Sequence, residues 1–128
     1  MLTPKQLLAV ARWVYPRLEW FVISALGWVA APEHDSPSVD PPLIYFNPLA
    51  DTTEGKAQLM DVWLKLLTCD KIYVSWGGYF VTTQLVPSPN LSDSDYRTFN
   101  CVNKDGSRRD AAAILEAASY AIEKGLVN

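Results

Sequence analysis

The sequence predicts an α+β domain: a small antiparallel three-stranded meander packed with α-helices, in the order α, α, α, β, β, β, α. Three observations predict it. A capped, amphipathic helical stretch follows Tyr45–Pro48, the apolar period changes from helical to two beyond Cys69, and an alanine-rich helical stripe closes the chain. The 128 residues, 49% apolar and 20% charged, suit one domain with its own core spanning the whole chain.

Thr3-Pro4-Lys5-Gln6 places a hydroxyl cap, a proline at the first helical position and a glutamine three residues after the cap, which opens a helix over 4–15. Pro16 ends or kinks it by removing a backbone donor. A second helix is expected over 17–26, apolar on nearly every side from Trp20, with Gly27 as its left-handed terminator. Residues 29–42 hold four prolines among Ser and Asp, and read as a long loop. Leu43–Phe46 is a short extended segment running into Asn47-Pro48.

Asp51 caps the next helix, with Glu54 placed to reach back. Met60, Trp63, Leu64 and Leu67 fall at i, i+3, i+4 and i+7, so this stripe is the expected buried face. Ile72, Val74 and Trp76 then alternate with Tyr73 and Ser75. Gly77-Gly78 marks a hairpin into Tyr79–Val86, because tight hairpin turns want positive φ. Pro87–Asp95 is a loop. Tyr96–Val102 reads as a third strand with Arg97, Phe99 and Cys101 on one face. Asn103–Gly106 turns the chain, Ser107–Asp110 caps again, and Ala111, Ile114, Leu115, Ala118, Ala121 and Ile122 mark a last helix ending at Gly125.

Eleven basic against 14 acidic side chains give a net charge of −3, which argues against nucleic-acid or anionic-membrane partners. The longest apolar run, Trp20–Pro32, is interrupted and shorter than the roughly 20 residues of a membrane span. Charges within Leu2–Trp20 do not fit a secretory signal, so the expected location is cytoplasmic. Cys69 and Cys101 lack metal-ligand spacing and read as free, half-buried thiols.

The sequence holds no phosphate-cradling glycine loop, HExxH, CxxC or nucleophile elbow. The single histidine, His34, sits in the proline-rich loop, where a solvated side chain explains it. A hydrolase triad would have to use His34, and Cys69 or Cys101 with His34 and a carboxylate is the grouping to consider, but no sequence feature orients them and buried small hydrophobes explain the cysteines better. Asp93 and Asp95 read as a solvated turn. The expectation is a protein that is not an enzyme and carries no cofactor or metal. Two features point to binding. The aromatic density is high, and of Tyr73, Trp76, Tyr79 and Phe80 at least one faces away from the core unless helices cover both sides. Arg108 and Arg109, at the start of the last helix and with Arg97 nearby in sequence, form a candidate anion pocket. Trp76, Tyr79, Arg97, Arg108 and Arg109 are therefore the candidate ligand- or partner-binding residues.

Leu26-Gly27-Trp28 after an N-terminal helix, a proline-rich stretch, Tyr45-Phe46-Asn47-Pro48 with Asp51 leading into a Leu/Trp helix, a Trp-containing meander and the alanine-rich helix at Asp110–Ile122 form a layout that resembles the phage ABA sandwich domain family. The resemblance spans most of the chain, and the proline-rich stretch and Cys101–Asp105 lie outside its matched residues. It implies a small phage-encoded protein with no established activity and no catalytic residues to carry over. The expected function is a non-enzymatic accessory protein that binds a host protein or complex, such as an immunity complex. The alternative is a protein that binds or sequesters a small anionic ligand such as a nucleotide signal, between subunits of a homo-oligomer.

Overall fold

A computed structural model of the chain describes residues 2–33, 39–86 and 96–127. It contains three helices and two three-stranded antiparallel sheets: α1 (Pro4–Val14), β1 (Phe21–Ile23), β2 (Trp28–Pro32), β3 (Leu43–Tyr45), α2 (Thr53–Leu67), β4 (Ile72–Gly77), β5 (Phe80–Leu85), β6 (Tyr96–Asn100) and α3 (Asp110–Glu123). The strand orders are β1-β2-β3 and β4-β5-β6. The class is α+β as predicted, with two meanders where the sequence suggested one. His34 and the whole of the expected 87–95 loop, with Asp93 and Asp95, lie outside the described residues.

The capping box of α1 forms as read: Gln6 N–H donates to Thr3 Oγ1 at 3.2 Å, and Thr3 N–H donates to Gln6 Oε1 at 2.9 Å. The helix ends before Pro16, with Tyr15 as its C-cap. The second predicted helix is not one. Phe21–Ile23 and Trp28–Pro32 form a hairpin with Phe21 opposite Ala30 and Ile23 opposite Trp28. Consecutive aromatic and β-branched residues at Phe21-Val22-Ile23 favour extended backbone, and Gly27, at φ 68°, closes the connecting turn by donating to Ile23 C=O at 2.8 Å. Gly27 is left-handed as expected, but it serves a hairpin. The front of the expected 29–42 loop is accordingly strand β2, which pairs with β3 in the register Ala30–Tyr45 and Ala31–Ile44.

Three smaller corrections follow. The N-cap of α2 is Thr52, whose hydroxyl accepts from Gly55 N–H at 3.0 Å, while Asp51 pairs with Lys56 at the surface. The β4–β5 turn is Gly78-Tyr79, one residue later than read, because Gly77 still pairs with Phe80. The buried line of α2 is Gly55, Val62 and Leu66, and the predicted stripe residues Met60, Leu64 and Leu67 are about half exposed. Gly55 sets this rotation. A Cβ there would stand 2.5 Å from Ala50 C=O oxygen, so the helix seats its glycine side against the preceding loop.

Gln58, one turn further along α2, closes the edge of the first sheet. Its amide nitrogen donates to Tyr45 C=O and its Oε1 accepts from Asn47 N–H, both at 2.7 Å. A side-chain amide thus satisfies the edge groups that another strand would otherwise take.

α1 packs on β1, β2 and the other two helices, α3 packs on β5 and β6, and α2 reaches β4. The helices are therefore the middle layer, with a sheet on either side. The core runs through all three layers, from Val29 and Ala31 through Val10, Ala11, Val62, Leu66, Ile114 and Leu115 to Val74, Val81 and Phe99. Alanines at 113, 117, 118 and 121 let α3 sit close to its neighbours, and all four are fully buried. Tyr15, Trp20 and Phe46 form an aromatic triangle at one end, with centroids 5.8 to 6.1 Å apart. Each sheet keeps one face open.

Candidate aromatic binding surfaces

The arginines expected to bind an anion are already engaged. Arg108 donates to Gly78 C=O at 2.9 Å and to Asp110 at 3.0 Å. Arg109 donates to Asn100 C=O at 2.6 Å and pairs with Glu116. Arg109 is also the N-cap of α3 and makes no side-chain cap bond. The two guanidinium groups tie the β4–β5 turn and the end of β6 to the start of α3, and they point to different partners. Arg97 lies further along that helix, over the Tyr120 ring at 5.7 Å, in a hollow that also holds Glu116 and Glu123. The structure does not gather the three arginines into one cationic pocket.

Neither cysteine forms a disulfide, and both are buried, Cys101 completely. Burial raises the Cys101 thiol pKa, and the Asp110 carboxylate beside it raises it further. A thiol held neutral in this way is a poor nucleophile. Asp110 is in turn what raises the Arg108 pKa through their hydrogen bond. Among the described residues no group of three or more His, Cys, Asp or Glu side chains could hold a metal ion.

The aromatics divide as alternation requires. Trp76 faces inward and meets Trp63 of α2 edge to face at 5.6 Å, with 38% of its surface exposed. Tyr79 sits at the hairpin tip and is 68% exposed, while Tyr73, Phe80 and Tyr96 stand on the open face of the second sheet. The expectation that at least one of Tyr73, Trp76, Tyr79 and Phe80 faces outward is met by three of them.

The surface that sequence reasoning missed lies on the first sheet. Phe21, Ala30 and Tyr45 align across its three strands, and Trp28 and Leu43 share their face. Trp28 and Tyr45 meet edge to face at 5.5 Å and 89°. Behind them a cleft of about 360 Å³ is floored by Val29 and Phe46 and bounded by Leu7, Gly27 and Asn47. No lining side chain is charged. Trp28 is 53% exposed and Tyr45 44%, so the cleft opens onto an apolar surface. Reading 17–26 as helix and 29–42 as loop separated Trp28 from Tyr45, and only strand pairing brings them together. The available signal was the β-branched run at 21–23.

Among the described residues no helix is long and apolar enough to cross a membrane. Comparison with protein-family models, with curated proteins and with solved structures finds no match for this chain.

Proposed function

We propose that this is a binding protein without catalytic chemistry of its own, which contacts a protein partner through the Trp28–Tyr45 cleft and the apolar face around it. The cleft carries the reading. Its volume of about 360 Å³ is at the small end of ligand pockets, and its rim of half-exposed aromatics matches the seat of an apolar anchor residue. Its uncharged lining selects a neutral, apolar group. The arginines support the same reading, since Arg108 and Arg109 are paired and Arg97 stands apart from them over Tyr120, so the three do not share a pocket for an anion. On the sequence resemblance, we place the protein among phage-encoded accessory proteins acting in the host cytoplasm, with a host immunity complex as the partner.

The test is capture from host lysate on immobilised protein, run in parallel with a Trp28→Ala/Tyr45→Ala double variant and a Leu64→Arg variant on the exposed side of α2. A specific host protein should be retained by the wild type and by Leu64→Arg, and lost from the double variant. Equal capture by all three, or none by the wild type, would refute the assignment.

A further inference from the structure

Among the described residues, the strand positions on the open face of the second sheet carry no charge. Its register places nine residues in a three-by-three grid: Tyr73, Gln84 and Tyr96 in one row, Ser75, Thr82 and Thr98 in the middle, and Gly77, Phe80 and Asn100 in the third. Soluble surfaces of this size normally mix in charges of both signs, and the protein as a whole carries a net −3. Tyr73 is 63% exposed, Phe80 44% and Tyr96 43%.

We infer that this face is an interface between two copies of the chain, packed sheet on sheet around a two-fold axis that runs along the middle row. The register sets the pairing. Such an axis lays the first row of one copy over the third row of the other, so Tyr73 covers Gly77, Tyr96 covers Asn100, and Phe80 covers Gln84. Each bulky ring meets a smaller side chain or none, which is the interdigitation that facing sheets about 10 Å apart require. The middle row meets itself as short hydroxyl side chain against short hydroxyl side chain, leaving a polar seam that ordered water can bridge. A two-fold axis brings each group near its axis against its own kind, and a face without charge makes no like-charge contact there.

Area points the same way. The three aromatics expose roughly 300 Å² between them. The six small or polar positions and Tyr79 at the adjoining turn add roughly as much again, approaching the ~800 Å² each partner gives to a standard interface.

Sedimentation velocity of the purified chain, from micromolar to near-millimolar concentration, tests this. The wild type should sediment at twice the 14.3 kDa chain mass. Thr82→Arg, which puts two cations on the axis, should give the single-chain mass. Gly77→Gln should raise the dimer Kd roughly tenfold or more, because it fills the seat of Tyr73 while a side chain there meets nothing within its own chain. Leu64→Arg, on the exposed ridge of α2, should leave the dimer intact. Far-UV circular dichroism should be unchanged in all three variants. A wild type that stays single at every concentration overturns the inference, as does a dimer that survives Thr82→Arg and Gly77→Gln or is dispersed by Leu64→Arg.

Discussion

Replacing Gly55 with alanine should destabilise the protein, although the substitution improves intrinsic helix propensity. In an unobstructed helix interior, Gly→Ala contributes up to about 1 kcal/mol of stability. Here the new Cβ would stand 2.5 Å from the carbonyl oxygen of Ala50, 2.8 Å from that of Asn47 and 3.2 Å from the Ala50 carbonyl carbon. All three are backbone atoms, so no rotamer change relieves the overlap. The turn in which Ala50 N–H donates to Asn47 C=O would have to move away from the helix, straining the Gln58 bonds to Tyr45 and Asn47 as it goes. Overpacking against backbone sits near the upper end of its usual range, about 3 kcal/mol. Subtracting the propensity gain leaves a net loss of about 2 kcal/mol, or roughly 6–8 °C in Tm for a domain of this length. Urea denaturation of wild type, Gly55→Ala and the control Gly77→Ala decides the matter. The control Cβ meets nothing within 4 Å in its own chain, so at concentrations low enough to keep the chain single its midpoint should equal that of the wild type or lie slightly above it. An unfolding midpoint for Gly55→Ala equal to or above that of the wild type would refute the close-packing argument.

Adjacent leucines of α2 should behave oppositely: Leu66→Ala, at a fully buried site, should cost about 2–5 kcal/mol, whereas Leu67→Ala, 51% exposed, should cost less than about 1 kcal/mol in the same denaturation assay. Gln58→Glu keeps an acceptor for Asn47 N–H but sets a carboxylate against Tyr45 C=O, so thermal unfolding should show a loss of about 1–2 kcal/mol and the edge amides of β3 should exchange faster. The Tyr15 hydroxyl donates to Asp61 at 2.5 Å, and burial, with that bond and the Asp61 charge adding to it, raises its pKa well above the ordinary tyrosine value. A raised native pKa means that stability is fully present below the unfolded value of about 10 and declines as pH rises beyond it. Tyr15→Phe should therefore lower stability by about 1 kcal/mol at neutral pH and flatten the alkaline decline; an alkaline limb identical to wild type would assign that decline to other groups.

The second half of the fold was legible because its signals agree with one another. Alternation at 72–76, glycine at 78 and the alanine face of α3 each specify one state. Residues 17–32 were not legible, because Gly27 satisfies two hypotheses at once. A left-handed glycine ends a helix and closes a hairpin turn equally well, and the apolar run around it fits either. In α2 the sequence carries two apolar lines, 59/62/66 and 60/64/67, and periodicity does not choose between them. Gly55 does, since a glycine inside a helix marks a close approach, and it aligns with the first line. The candidate arginines turn to separate partners for a related reason. Proximity to a helix start says where a guanidinium begins, whereas strand carbonyls brought by the fold decide where it ends. Trp28 and Tyr45 lie 17 positions apart, and only the pairing of β2 with β3 makes them neighbours.

Placing the helices between the sheets has a geometric consequence. The aromatic cleft and the charge-free grid point in opposite directions, separated by the whole thickness of the helical layer. A pair of chains joined grid to grid would therefore hold its two clefts at its far ends, as a rigid bivalent connector. Such a connector engages a repeating target with an avidity set by the match between its span and the target's spacing, even where each single contact is weak.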